Sequence, residues 1–305
     1  MSLPLVIHPK PNLKMPKVAI IYNPKAGHQS RGQITSLKRQ QKLRGQLNEP
    51  LWQETLAPGH ATSLAQILKT DAELIIAIGG DGTVNEVGTG LLGTDTTLGI
   101  FPVGSGNGLA KELHLPRHPN QAARVIAQNK TSYIDILEVN GQPVFNMAGI
   151  GFDAAVAHQF AQLPRRGFWN YVRATLSTLR TYKPIHLELV IDDQTVSGSY
   201  FLGVFANSRQ YGNNAYIAPQ AQLNDGFIDV GLIKTFPWHA APALILRLFT
   251  GSIHHSRYYQ SFKAKKINIL NREKVWMHMD GEVRSFTESI RIGLHQHKLK
   301  VLTGH

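Results

Sequence analysis

Short apolar runs alternate with stretches of helical spacing in the first part of the chain. The runs are Val18–Tyr22, Leu74–Ile78 and Leu98–Val103. Nearly continuous apolar runs are typical of parallel strands, which are buried on both faces. After the second run, Val84, Val87 and Leu91 recur at the spacing of a helix. The pattern predicts an α/β domain over residues 17–133, in which helices flank a parallel sheet.

The pattern changes near residue 134 to short strands joined by tight turns. Asn140-Gly141 separates two apolar runs, and Asp192-Asp193-Gln194 separates two more, which predicts two hairpins. Helical insertions are predicted at about 165–180 and 238–250. The hairpin runs and the later β-like runs are Ile134–Val139, Val144–Met147, Ile185–Ile191, Val196–Phe205, Phe227–Ile233, Lys265–Leu270, Val275–Met279, Ser289–Leu294 and Lys298–Leu302.

These patterns predict two domains with a cleft between them. Residues 134–305 are expected to form a mainly antiparallel β domain, and whether its last strand returns to the first domain stays open. Residues 1–16 are interpreted as a loose leader. Two domains on a short connection leave a cleft, and we expect the active site there.

The composition is that of a globular protein, but the charge is unbalanced. The 305 residues include 32 Lys and Arg against 20 Asp and Glu, a formal net charge of +12. This excess favours nucleic acid, an anionic lipid surface or a phosphorylated ligand as partner. The chain has no cysteine, which excludes disulfides and thiolate metal sites. No apolar run approaches the roughly 18 residues that a membrane span needs.

A first glycine loop follows the second apolar run and precedes a predicted helix. It reads Gly79-Gly80-Asp81-Gly82-Thr83 and continues into Asn85 and Glu86. Backbone N–H groups in such a loop, with the positive end of the helix, form a good phosphate site. Asp81 would repel a phosphate unless it coordinates Mg²⁺ or orients a hydroxyl. The alternative is that the glycines only form tight turns.

Two further loops follow predicted strands at the same edge of the sheet. Gly104-Ser105-Gly106-Asn107 offers Ser105 and Asn107 as donors to phosphate or ribose. Asn23-Pro24-Lys25-Ala26-Gly27 offers Lys25 as a cation for phosphates. The signatures of P-loop nucleotide hydrolases and of protein kinases are absent from the sequence.

Together, these motifs resemble the catalytic family of diacylglycerol kinases and sphingosine kinases, including the small bacterial lipid kinases. The resemblance continues through Asn207, the segment 218–226 and Met279-Asp280-Gly281-Glu282. The first glycine loop is also similar to that of NAD kinases. Many bacterial relatives carry an acid in place of Gly108 and Ser or Thr in place of Ala26, and Gly108 is closer to the sphingosine kinase branch.

The resemblance implies an ATP site in the first domain and catalytic acids facing it from the second. Asp81, Asp280 and Glu282 are the catalytic candidates, with Glu282 matching the usual proton acceptor. A structural Mg²⁺ site would use Asp225 with backbone carbonyls near Gln222 and Phe227. The nucleotide-binding candidates are Asn23, Lys25, Thr55, Gly79, Gly80, Asp81, Gly82, Thr83, Asn85, Glu86, Gly104, Ser105, Gly106 and Asn107.

The sequence leaves the relative orientation of Asp280 and Glu282 open. Asp280 and Glu282 would share one face of a strand, but Gly281 between them makes a turn equally plausible. Asp135, near the expected domain junction, is a candidate for metal binding or for holding the hinge, and an ordinary acid at a strand end is equally plausible.

The expected function is an ATP- and Mg²⁺-dependent lipid kinase that acts on diacylglycerol or a related long-chain lipid alcohol. A soluble kinase of NAD type and a basic nucleic-acid-binding protein are the alternatives; we expect no nucleic-acid partner. The protein is expected to be cytoplasmic and to bind an anionic membrane surface peripherally. The basic and aromatic segment 165–180 is the candidate for this contact, and a helix that packs its aromatic residues on the second domain is equally plausible. A homodimer stays open.

Overall fold

The computed structural model describes residues 17–26, 32, 35, 50–161, 173, 175, 177–179, 181–212, 214–270 and 274–304. The leader 1–16, Gly27 and most of the segment 165–180 lie outside this part. Among the described residues, those at 173, 175, 177–179 and 181 are helical. In the same part of the chain, no helix has both the length and the apolar character to cross a membrane.

The first sheet has six strands in the order β2-β1-β3-β4-β17-β5. The strands are β1 (Val18–Tyr22), β2 (Leu51–Glu54), β3 (Leu74–Gly79), β4 (Thr97–Pro102), β5 (Thr131–Ile134) and β17 (Leu299–Leu302). Every residue of β3 and β4 is buried, as their continuous apolar sequences predict. The last strand thus lies in the first sheet, next to β4 and β5.

Four strands of this sheet, β1 to β4, run parallel. Their carboxyl ends therefore meet at one edge, which is where open α/β sheets bind ligands. The described helices are α1 (His60–Leu68), α2 (Asp81–Leu91), α3 (Gly108–Glu112), α4 (Pro119–Gln128), α5 (Phe152–Ala161) and α6 (Ala241–Phe249). Helix α2 begins at this edge inside the first glycine loop, at Asp81, and α3 begins directly after the second, at Gly108.

The second sheet is antiparallel throughout its described pairings. Its main path runs β15-β14-β8-β10-β9-β13-β16-β6-β7, and β11 pairs with both β10 and β12. The strands are β6 (Leu137–Val139), β7 (Gln142–Val144), β8 (Met147–Gly151), β9 (Ile185–Ile191), β10 (Gln194–Ala206), β11 (Ile228–Lys234), β12 (Tyr259–Ala264), β13 (Lys266–Ile269), β14 (Val275–Met279), β15 (Glu282–Phe286) and β16 (Ile290–Leu294). The predicted fold class is confirmed.

The run Val144–Met147, predicted as one strand, is divided between two strands. Strand β7 ends at Val144 and β8 begins at Met147. Between them, the Phe145 side chain is buried in the core of the first domain, so the chain contacts both cores at this point. The apolar pattern does not separate these strands, because Phe145 is as buried as Val144 before it and Met147 after it.

Candidate active site

The first and second glycine loops lie in direct contact. A Cβ atom on Gly104 would lie 2.7 Å from the Cα atom of Gly80, and one on Gly106 would lie 2.9 Å from Oδ2 of Asp81. Real side chains do not approach this closely, so the two loops can pack together only because these positions carry no side chain. This contact places both loops at the ends of β3 and β4.

Asp81 joins the two loops through its carboxylate. Its Oδ2 accepts the N–H of Asn107 at 3.0 Å, and its Oδ1 accepts the N–H of Gly108 at 3.1 Å. These donors belong to the start of α3, where a carboxylate is stabilised by unpaired N–H groups. Burial raises the pKa of Asp81, while these hydrogen bonds oppose the shift. Asp81 therefore positions the second loop.

Asn107 was predicted to donate to a ligand, and its side chain is not available to do so. Its Oδ1 accepts the N–H of Gly104 at 3.0 Å, and its Nδ2 donates to the Gly104 carbonyl at 2.6 Å. The side chain is buried and closes the second loop on itself. Ser105, by contrast, is exposed at the tip of this loop, as its predicted role requires.

Gly108 also lies at a tight contact. A Cβ atom there would lie 2.6 Å from Nδ2 of Asn146. Asn146 in turn accepts a hydrogen bond from the Ser208 hydroxyl and donates to the Gln210 carbonyl at 3.2 Å. An acidic side chain in place of Gly108 would have to displace Asn146, so the position of Asn146 in this network requires glycine at residue 108.

The N-terminus of α2 is a candidate anion site at this edge, although its first turn also carries the Asp81 carboxylate. No side chain caps it, and Gly82 in its first turn is exposed. Unpaired N–H groups and the helix dipole favour a phosphate there. The Asn23 side chain donates to the Thr83 hydroxyl at 3.4 Å, which ties the turn after β1 to this helix. A Cβ atom on Gly79 would lie 2.4 Å from that of Thr83.

Two other predicted nucleotide-binding residues border this region. Thr55 follows β2, and its N–H donates to the Tyr22 carbonyl at 2.9 Å. Lys25 is exposed in the turn after β1, so its ammonium group is accessible to a phosphate. Glu86 has a different role, because its Oε2 accepts the N–H of Ala61 at 3.0 Å in the first turn of α1. Its carboxylate therefore stabilises the packing of α1 on α2.

Asp280 and Gly281 form the turn between β14 and β15. Both have positive φ, 50° for Asp280 and 87° for Gly281. The Asp280 carboxylate accepts N–H groups from Phe145 and Asn146, both at 2.8 Å, and from Met147 at 3.0 Å. It also accepts the side-chain amide of Asn85 on α2, at 2.9 Å. Burial, with a smaller contribution from the charge of Asp81, raises the pKa of Asp280 to about 6.

Glu282 lies just beyond this turn in a different environment. Its side chain is 68% exposed, and its ion-pair partner among the described residues is Arg284 at 3.8 Å. Of the two alternatives left open by the sequence, the turn is therefore correct. Asp280 faces inward and holds the turn against α2, while the Glu282 carboxylate remains open to solvent. Asn85, predicted to bind nucleotide, instead links the domains through Asp280.

A buried polar group lies beside the turn and was not predicted. Oδ2 of Asp153 accepts the Tyr211 hydroxyl at 2.8 Å and lies 3.1 Å from Nε2 of His278. The site was missed because these residues are distant in sequence and match no known spacing. His278 lies two positions before Asp280 on β14, so this network supports the strand that leads into the turn.

Comparison with known proteins agrees with this arrangement. Residues 17–139 match the diacylglycerol kinase catalytic domain, and residues 146–301 match the YegS C-terminal NAD kinase beta sandwich-like domain. The chain belongs to the diacylglycerol kinase family. Within this family, the diacylglycerol kinase of Bacillus subtilis (strain 168) is 28% identical over 294 residues, which cover 93% of this chain and 95% of the relative.

Solved structures show the same two-domain fold. A diacylglycerol kinase structure from Bacillus anthracis str. Sterne has a TM-score of 0.72 and 23% identity, and the match covers 94% of this chain and 96% of that one. An NAD kinase from Archaeoglobus fulgidus, in complex with ATP, has a TM-score of 0.53 and 14% identity over 95% of this chain and 94% of that one. The likeness to NAD kinase is thus one of fold alone.

In this member of the diacylglycerol kinase family, a lysine ammonium group binds the carboxylate that was predicted to hold a structural Mg²⁺ ion. Oδ1 of Asp225 accepts the N–H of Phe227 at 3.1 Å, and its Oδ2 pairs with the Lys263 ammonium group. Nζ of Lys263 and Nζ of Lys265 lie 5.9 and 5.5 Å from the centre of the Phe227 ring. A divalent cation on this carboxylate would meet an ammonium group at the same oxygen.

The residues as placed therefore do not fit a structural Mg²⁺ ion. Gln222 lies in the wall of a cavity of about 650 Å³ between the two domains. In the described part of the chain, no group of three or more acidic or histidine side chains is arranged to hold a metal. Asp135 pairs with Lys298 at 2.8 Å and accepts the N–H of Gly226 at 2.8 Å, so a lysine and a backbone N–H group also occupy this carboxylate.

Lys263→Ala is expected to open the Asp225 carboxylate to Mg²⁺. Without the ammonium group, Asp225 and the buried Asp229, whose Oδ2 lies 3.9 Å from Nζ of Lys263, would lose their neighbouring positive charge. In a thermal unfolding assay without nucleotide, excess MgCl₂ should leave the wild-type Tm unchanged and raise that of Lys263→Ala by about 2–4 °C. Lys265→Ala, which removes a neighbouring ammonium group, should behave like the wild type. A rise in the wild-type Tm would contradict this assignment.

Proposed function

We propose that this protein is an ATP-dependent lipid kinase that phosphorylates the hydroxyl group of diacylglycerol or of a related long-chain lipid alcohol. One observation carries the proposal. The four hydrogen bonds of the Asp280 carboxylate hold the turn of the second domain against α2 and the segment 145–147, and the Glu282 carboxylate next to this turn is exposed. We therefore infer that the phosphate-binding and proton-accepting groups border one cleft.

The nucleotide phosphates are proposed to bind at the N-terminus of α2. The first-turn N–H groups, the Lys25 ammonium group and the exposed Ser105 hydroxyl supply donors of the kind that phosphates need. Mg²⁺ bound with ATP would neutralise charge on the phosphate oxygens. Asp81, the carboxylate in these loops, already accepts one N–H group on each oxygen and would hold Mg²⁺ through the remaining lone pairs. Asp280 is enclosed by its own hydrogen bonds and serves as a positioning residue.

Glu282 is proposed to accept the proton of the acceptor hydroxyl. As the proton leaves, the hydroxyl oxygen forms a bond to the γ-phosphorus, and the bond from that phosphorus to the β–γ bridging oxygen breaks. ADP leaves with the electron pair of the broken bond. Phosphoryl transfer depends mainly on positioning and charge stabilisation, so this set of groups is sufficient.

The lipid acceptor is inferred from the family and from the charge of the protein. The diacylglycerol kinase of B. subtilis aligns over almost the whole length of this chain. A net charge of +12 favours approach to an anionic surface, where a lipid hydroxyl is presented. NAD is the competing acceptor because the NAD kinase fold is similar, although only 14% of residues are identical.

The test is transfer of labelled γ-phosphate from ATP to a panel of acceptors. Diacylglycerol and sphingosine are presented in mixed micelles, and NAD is presented in detergent-free buffer, each with and without EDTA. We expect label in one of the lipids, no label in NAD, and loss of transfer with EDTA. Transfer to NAD alone, or to no lipid in the panel, would overturn the proposal.

A further inference from the structure

Helix α6 and the helical turn before it, Trp238–Ala240, have both buried and exposed apolar residues. On the inner side, Leu244 is buried and Leu248 packs against the same core cluster. On the outer side, Trp238 is 86% exposed, Leu246 65% and Ile245 53%. Phe249, one helical turn beyond Ile245, is 50% exposed. A helix of a globular domain normally has a polar outer face, so this one has an unexplained apolar surface.

These four residues form a cluster, which we call the α6 surface. Among the eleven large hydrophobic residues exposed in the described part of the chain, four lie within Trp238–Phe249. Ile245 and Phe249 are four positions apart on α6 and therefore lie on one side of the helix, and Trp238 lies in the helical turn that precedes it. Contiguous exposed apolar residues of this kind mark a binding surface, whereas scattered ones need no explanation.

The charge around the α6 surface identifies its partner. No acidic residue occurs from Val230 to Arg272, a stretch that contains seven Lys and Arg. Lys234 and Arg257 are exposed, and the Lys234 N–H donates to the carbonyl of Tyr258, the residue after Arg257, so the two residues are neighbours in the fold. Neither pairs with an acidic side chain among the described residues. An exposed tryptophan, aliphatic side chains and adjacent cations are the features of a segment that enters an anionic bilayer interface.

The α6 surface is also linked to the candidate active site. The Leu248 carbonyl near the end of α6 accepts the N–H of Tyr216 at 2.9 Å. The loop that precedes Tyr216 packs on the second glycine loop, because a Cβ atom on Gly212 would lie 3.0 Å from the Gly106 carbonyl oxygen. One loop therefore connects the α6 surface with the cleft, so binding to a bilayer through α6 would bring the cleft close to it.

We infer that the α6 surface inserts into the interface of an anionic phospholipid bilayer, with Lys234 and Arg257 contacting the lipid headgroups. This inference deepens the proposed function, since it names the surface through which a lipid kinase reaches its substrate. Vesicle binding is measured without ATP or turnover, so the docking inference and the proposed kinase function can fail separately. Binding without lipid phosphorylation would refute only the kinase, and phosphorylation without a role of α6 would refute only the docking surface.

The experiment is co-sedimentation with vesicles of phosphatidylcholine alone and of phosphatidylcholine with an equal amount of phosphatidylglycerol. We expect the wild type to bind only the anionic vesicles, and less tightly as salt rises. Trp238→Ser/Leu246→Ser should weaken binding at least about tenfold. The matched control is Leu51→Ser/Ile67→Ser, which removes two exposed apolar side chains of the first domain and should bind like the wild type.

A second variant keeps the test decisive if the first one does not fold. Lys234→Gln/Arg257→Gln changes exposed side chains only and should also weaken binding to anionic vesicles. All variants should retain phosphorylation of a short-chain, monomerically dissolved diacylglycerol, because none touches the cleft. Unchanged vesicle binding in both variants would overturn the inference. A wild-type dimer that becomes monomeric in Trp238→Ser/Leu246→Ser would also overturn it, because another copy of the chain would then cover α6. A lowered Tm of that variant with unchanged vesicle binding would do the same, because another part of this chain would then cover α6.

Discussion

Glu282→Gln is expected to lower kcat for lipid phosphorylation by about 10²–10⁴-fold, the usual contribution of a general base. The substitution preserves the size of the side chain but removes the group that accepts the proton. Because the side chain is 68% exposed, the free energy of unfolding should change by no more than about 0.5 kcal/mol. Steady-state kinetics in mixed micelles and thermal unfolding of the same preparation separate the two effects.

The matched control is Glu288→Gln. Glu288 is also exposed and lies in the turn between β15 and β16, away from Asp280 and α2. It should leave kcat and Tm unchanged. If Glu282→Gln keeps more than about a tenth of the wild-type kcat, Glu282 is not the proton acceptor, and another group of the cleft must take the proton.

The parts of the fold that the sequence predicts are those in which burial alone determines the pattern. β3 and β4 are buried along their whole length and appear as continuous apolar runs. The sequence did not predict β12 and β15. Exposed polar residues interrupt the apolar positions of both strands, and β15, Glu282–Phe286, contains few apolar residues. Such strands form because a neighbouring strand supplies hydrogen-bond partners, and this pairing leaves no local signal.

Predictions for the site show a similar division. The glycine loops could be located from sequence, because a loop between a buried strand and a helix lies at the edge of a parallel sheet. The roles of single polar side chains could not be deduced in this way. Asn107, Glu86 and Asp225 all carry suitable chemistry, but each is bound to a backbone group or a lysine. Those partners become neighbours only in the folded chain.

The junction between the domains explains why one acid has a structural role and the other remains free. Phe145 packs in the first core, and its N–H and those of the two residues after it point to Asp280 in the second domain. These three consecutive N–H groups lie where the chain passes from β7 to β8. They have no partner in the hydrogen-bond ladder of a sheet and need another acceptor. Asp280 supplies it, and the following turn carries Glu282 to the surface.

Asp280→Asn is therefore expected to destabilise the protein and to lower activity together. Asparagine keeps the positive φ of 50° at this turn, so the backbone is not strained. Its amide group, however, places N–H donors against N–H donors of residues 145–147 or of Asn85. Leaving buried donors without an acceptor should cost about 2–4 kcal/mol of unfolding free energy. Chemical denaturation measures this loss, and kcat should fall because the turn no longer holds Glu282 in place.

The pH dependence of this loss gives a second measurement. The pKa of Asp280 is raised to about 6 from an ordinary 3.8, so the native state binds a proton more readily than the unfolded chain between these values. The stabilisation from this proton is complete below pH 3.8 and is lost as the pH rises through about 6. The difference in unfolding free energy between wild type and Asp280→Asn should therefore widen as the pH falls from about 7 to about 4. Asp229, whose pKa burial also raises to about 6, titrates in both proteins and cancels from this difference.

Asp192→Asn is the matched control for this turn. Asp192 also has a φ of 50°, lies in the hairpin turn after β9 and accepts N–H groups from Lys265 and Lys266, but it does so at an exposed position. Water can replace those hydrogen bonds, so the loss should stay below about 1 kcal/mol and should not reduce kcat. Equal losses in the two variants, or a difference for Asp280→Asn that narrows toward pH 4, would show that Asp280 does not hold the domains together through its buried carboxyl group.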